Sequence, residues 1–93
     1  MKDYEKIEKR TEEILKIFED TESDIRDKGD NAFLGLQILS KYSKSLIEGA
    51  DHDIIYSISL ETAIEAGITD EDVTSLAILN WMLYDDEYFA CYV

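Results

Sequence analysis

Tyr4, Ile7, Thr11, Ile14 and Phe18 recur three or four positions apart, and Leu15 and Ile17 widen the stripe they make. An α-helix brings such positions onto one face, so the spacing predicts an amphipathic helix from about Lys2 to about Glu22. Ile25 would let it run on to Asp27. Gly29, Asp30 and Asn31 then form a break in which Asp30 or Asn31 offers a side-chain oxygen as helix N-cap. The following run, Ala32 to Glu48, carries Phe33, Leu34, Leu36, Ile38, Leu39, Tyr42, Leu46 and Ile47 on more than one face. This predicts a buried central helix, stopped by Gly49 and paired with the first helix as an antiparallel hairpin.

From His52 to Ser59 the period changes to two, with Ile54, Tyr56 and Ile58 alternating, which predicts a strand. Ser59 caps a short helix, Leu60 to Ala66, that Gly67 ends. Thr69 to Asp72 resembles a capping box with Asp in the Glu position and opens a helix to about Asn80. Trp81 to Val93 holds two aromatic runs around Asp85-Asp86, the pattern of a β-hairpin. The sum is an α+β fold in a single domain, 1–93. An N-terminal antiparallel helical hairpin leads to a strand, two short helices and a C-terminal β-hairpin, forming a small antiparallel sheet.

Charge changes this picture more than composition does. The 93 residues include 9 bases and 22 acids, for a formal net charge of −13, with one Cys, one His and no Pro. A hydrophobic content of 45% is that of a folded chain. A lone thiol makes no internal disulfide, and neither a membrane-length apolar run nor a leader pattern is recognisable, so a cytoplasmic protein is expected. Residues 1–30 carry a net −4, with Glu5, Glu12, Glu22 and Asp24 each four positions before a base. Such pairs face one another along a helix. Residues 31–50 carry +1, whereas residues 51–93 carry −10 and no Lys or Arg. Nucleic acid and anionic membranes are poor partners for that segment.

Candidate chemistry is sparse. His52 and Cys91 are the chain's single imidazole and single thiol, and one of each is thin material for nucleophilic catalysis. Cys91, within a hydrophobic strand, is expected as a buried structural thiol. Asp51-x-Asp53 begins like a calcium loop, but Ile55 and Tyr56 occupy its fifth and sixth positions, where an oxygen ligand and a glycine belong. Gly29, Gly35, Gly49 and Gly67 are scattered, so no phosphate-cradling loop is present. The expectation is a non-enzyme without cofactor or metal.

Two resemblances bear on function. Ala63, Gly67, Ile68, Thr69, Val73 and Leu76 resemble the core pattern of a helix-turn-helix. Asp70, Glu71 and Asp72 would turn like charge toward phosphates, so the pattern is read as two packed helices and not as a DNA reader. Leu79-Asn80-Trp81, Tyr84-Asp85-Asp86-Glu87-Tyr88 and Ala90-Cys91-Tyr92-Val93 are similar to the tails of small phage proteins. Size and segregated acidity likewise resemble phage and mobile-element anti-defence proteins, including DNA mimics and anti-CRISPR inhibitors. That resemblance implies an inhibitor that occludes a basic, nucleic-acid-binding surface on a partner protein. Asp70, Glu71, Asp72, Asp85, Asp86 and Glu87 are the candidate charges, and Tyr84 and Tyr88 the candidate anchors, with Tyr92 beside them. The alternative is a structural or regulatory homo-oligomer assembled through the N-terminal helix.

Overall fold

The computed structural model describes residues 4–24, 30–51 and 53–92. His52, the Ile25 extension, the Gly29 break and the bases Arg26 and Lys28 lie outside the described residues. In chain order the elements are α1 (Tyr4–Asp20), α2 (Asn31–Leu39), β1 (Gly49–Asp51), β2 (Ile54–Ser59), α3 (Leu60–Glu65), α4 (Asp70–Ile78), β3 (Met82–Tyr84) and β4 (Tyr88–Tyr92). The strands form one antiparallel sheet in the order β1-β2-β4-β3. This is the α+β architecture that the pattern predicts.

Caps of known chemistry set the helix boundaries. The Asp30 carboxylate accepts from Phe33 N–H, Ser59 Oγ from Thr62 N–H and Thr69 Oγ1 from Asp72 N–H, each at 3.1 Å. α3 and α4 both end in Schellman motifs. Gly67 (φ 89°) donates to Ile64 O and Ile68 to Ala63 O, each at 3.0 Å. Asn80 (φ 65°) and Trp81 repeat the pattern on Ala77 O and Leu76 O. The helix-turn-helix-like residues Ala63, Ile68, Val73 and Leu76 are all buried in the core, as the packing reading of that pattern requires.

Two expectations are corrected. α2 stops at Leu39 instead of reaching Glu48, although Tyr42 and Leu46 continue its period. Serine hydroxyls compete with the helix ladder there: Ser40 Oγ donates to Gln37 O at 2.6 Å, and Ser43 Oγ accepts from Ser45 N–H at 3.2 Å. Freed from the helix, the segment turns back, Glu48 N–H donates to Tyr56 O at 2.9 Å, and Gly49 pairs with Tyr56 in β1 instead of ending a helix. α1, moreover, lies chiefly on α3 and α4, while α2 lies on α4. Ile14 is fully buried, and the Phe18 ring meets Phe89 of β4 at 6.3 Å between centroids.

The sheet has two unlike faces. Phe89 and Cys91 of β4 point, with Ile58 and Leu83, into the core under the helices. Side chains alternate along a strand, so Tyr88, Ala90 and Tyr92 point the other way. Cross-strand register puts Ile54 opposite Tyr92, Tyr56 and Met82 opposite Ala90, and Tyr84 opposite Tyr88 on that second face. Ile54 and Ala90 are buried yet stand apart from the core under the helices.

Candidate functional site

The acids expected to act together at the start of α4 have different fates. Asp72 is only 9% exposed and sits at the N-terminus of its helix. Its carboxylate accepts from Tyr42 Oη and from Lys41 Nζ, at 3.1 and 3.2 Å for the two oxygens. Burial pushes this carboxyl up. The hydrogen bonds from Tyr42 and Lys41, the ammonium charge and Thr69 outweigh burial and hold it below the usual aspartate range. Lys41 is raised in return by its hydrogen bond to Asp72 and by that charge. Asp72 therefore clamps the segment after α2 onto α4 and is withdrawn from the outer surface.

Asp70 is exposed but ion-paired: Arg10 Nη1 of α1 donates to its carboxylate, while Nη2 donates to Ile68 O at 2.8 Å. Glu71 is exposed. Within α1, Arg10 also reaches Glu13 at 3.3 Å, and Lys16 pairs with Asp20 at 3.2 Å. Asp70 and Asp72 thus find their cations far away in the chain, where local spacing could not show them.

The hairpin tip is the better-formed acidic element. Asp85 and Asp86 adopt left-handed backbone (φ 55° and 53°), and Glu87 N–H closes the turn on Tyr84 O at 3.0 Å. Short polar side chains tolerate this conformation, which matches the twist of a hairpin. Glu87 O accepts from Leu60 N–H at 2.7 Å, tying the tip to the start of α3. Asp85, Asp86 and Glu87 are all exposed. On the side toward α1, Asp86, Glu87 and Tyr88 line an open hollow of about 360 Å³ with Ile7, Thr11 and Glu61. The hairpin tip and the Asp70 pair therefore flank the first turns of α1.

Tyr84 and Tyr88 face each other across β3 and β4, as the alternation predicts. The structure adds Tyr56 of β2, which sequence reasoning missed as a site residue. Its ring stands edge-on to Tyr84, with centroids 4.9 Å apart and planes at 69°. Tyr56, Tyr84, Tyr88, Glu48 and Gly49 line a hollow of about 310 Å³ on the sheet face turned away from the helices. Tyr84 remains 48% and Tyr92 56% exposed. None of the described side chains in β1 to β4 is cationic.

No protein-family model, curated protein or solved structure matches this chain. The described residues hold no cluster of three His, Cys, Asp or Glu side chains suited to a metal ion, and no described helix is long and apolar enough to cross a membrane. Cys91 is fully buried in β4, as expected for a structural thiol. Burial pushes it up, against a hydrogen bond from Asn31 Nδ2 at 3.3 Å.

Proposed function

We propose that this protein is a non-enzymatic interaction module that docks its tyrosine-lined sheet face and acidic hairpin tip onto a basic surface of a partner protein. The observation that carries the reading is the juxtaposition of Tyr56, Tyr84 and Tyr88 with Asp85, Asp86 and Glu87 on one sheet. Tyr84, exposed, and Tyr56 and Tyr88, half-buried, supply rigid contact area, and an acidic border steers a cationic partner and rejects anionic ones. A basic surface of that kind is what a nucleic-acid-handling enzyme uses to hold phosphates, so occupation by this module would block its substrate. The size and segregated charge that resemble anti-defence inhibitors fit the same reading, in a cytoplasmic setting. Assembly through α1 draws less support, because Ile14, Ile17 and Phe18 already pack against the chain's own core.

The test is the double charge reversal Asp85→Lys/Asp86→Lys. Partner capture should fall at least tenfold, wild-type capture should weaken as salt rises, and added wild-type protein should displace nucleic acid from the captured partner. Capture that ignores both the reversal and salt would overturn the reading.

A further inference from the structure

The hollow between β1, β2, β3 and β4 is more specific than a flat contact area. Tyr56 and Tyr84 meet as two walls of a corner, 69° between planes, and Tyr88 stands beside Tyr84 across the hairpin. Glu48, at the mouth of β1, lines the same space, and among the described residues neither Lys nor Arg does. Aromatic walls with one carboxylate and no competing cation make a poor site for an anion. An apolar side chain would fill the corner but would leave the Glu48 charge without a partner.

A cation satisfies both parts. The electron-rich face of a tyrosine attracts a cation within about 6 Å of its centroid, and several rings around one cation form the aromatic cages that hold organic ammonium groups. Guanidinium fits this geometry better than ammonium. It is flat enough to stack on one ring while its edge meets another, is weakly hydrated, and presents a fork of N–H donors to a carboxylate. The surrounding chain supplies long-range attraction, since residues 51–93 carry a net −10.

We infer that the Tyr56–Tyr84–Tyr88 corner, with Glu48 at its rim, is a receptor for one arginine side chain of the partner's basic surface. This rests on the docking reading and makes it specific: the hairpin tip attracts a basic surface in general, and the corner reads a single guanidinium within it.

The experiment titrates the intact protein with a short Gly/Ser peptide carrying one central arginine, and with the same peptide carrying citrulline, its neutral near-isostere. Tyr ring and Glu48 resonances are followed by NMR. The arginine peptide should shift the Tyr56, Tyr84 and Tyr88 rings saturably and bind at least tenfold tighter than the citrulline peptide. Tyr56→Leu should weaken it by about twofold to thirtyfold, the factor that about 0.5–2 kcal/mol of cation–π attraction corresponds to. Glu48→Gln, an exposed change that leaves the sheet intact, should also weaken it. Equal binding of the citrulline peptide, or shifts confined to Asp85–Glu87, would overturn the arginine receptor while leaving the docking proposal standing. That broader proposal falls separately, if Asp85→Lys/Asp86→Lys leaves partner capture unchanged.

Discussion

The Trp81 indole lies directly over Gly35 of α2: a β-carbon built there would sit 2.0 Å from Nε1 and 2.2 Å from Cε2. The same Nε1 donates to Asn31 O at 3.0 Å, so the ring is held against the helix by its own hydrogen bond and cannot swing aside freely. Asn31 in turn donates to Leu79 O at 2.9 Å, joining the start of α2 to the end of α4.

Gly35→Ala should therefore destabilise the fold, although alanine is the better helix former by about 1 kcal/mol. Overpacking a well-filled site costs about 1–3 kcal/mol. The expected outcome is a lowered Tm in a thermal melt, with loss of the native Trp81 near-UV signal. A raised Tm would show that the indole yields readily.

Asp72 links α4 to Lys41 and Tyr42. Replacing it with Asn removes a nearly buried charge from the hydrogen bonds that Lys41 and Tyr42 donate to it and should cost about 1–2 kcal/mol, or roughly 4–16 °C of Tm. The folded-state value of Asp72 lies below that of the unfolded chain, so its contribution is complete above about pH 4 and is lost as pH falls through the depressed value. Lys41, shifted upward, gives the mirror image: its contribution is present below about pH 10 and is lost as pH rises through the raised value. Denaturant melts across pH should show Asp72→Asn closing the gap to wild type at the acid end.

At the hairpin tip, Asp86 holds a positive φ that glycine adopts without steric strain. Asp86→Gly should raise stability by about 0.5–1 kcal/mol, and Asp86→Val should lower it, because a β-branched residue is strained there. Under the proposed function, the stabilised Asp86→Gly protein should nonetheless capture its partner less well. Opposite movements of Tm and binding would mark a charge kept for contact at the expense of the turn.

Cys91 is fully buried and its thiol is shifted upward, chiefly by burial. A thiol reagent at mildly alkaline pH should leave the native protein unmodified and react only as denaturant opens the fold, so the labelling midpoint should track the unfolding midpoint. Rapid labelling without denaturant would show that β4 frays on its own.

What could be read from the chain depended on how local each cause was. The α1 stripe, the Ser59 and Thr69 caps, the Gly67 stop and the Asp85-Asp86 turn are set within a few residues, and the pattern predicts them. β1 could not be read, since Gly49, Ala50 and Asp51 have little strand preference and become a strand only because the Tyr56 backbone pairs with Gly49. The end of α2 is masked because Leu46 and Ile47 keep a helical period while serines nearby divert the backbone. At the candidate site, Tyr84 opposite Tyr88 follows from the hairpin. Tyr56 joins them only through the long-range β2–β4 pairing, which local alternation does not encode. The Lys41–Asp72 and Arg10–Asp70 pairs are equally non-local, so an unbalanced segment proves to be partly neutralised by cations that the rest of the chain carries to it.

The strand order β1-β2-β4-β3 has a consequence for how the molecule is made. β2 leaves the ribosome with β1 as its first neighbour, and must wait while α3, α4 and β3 are synthesised before β4 fills its other edge. Until then the nascent chain lacks Phe89, against which Phe18 rests, and α1 has only α3 and α4 to pack on. Completion of the sheet thus waits for the last strand of the chain. A stalled chain lacking β4 would be a substrate for chaperones and proteases, not a working half-domain.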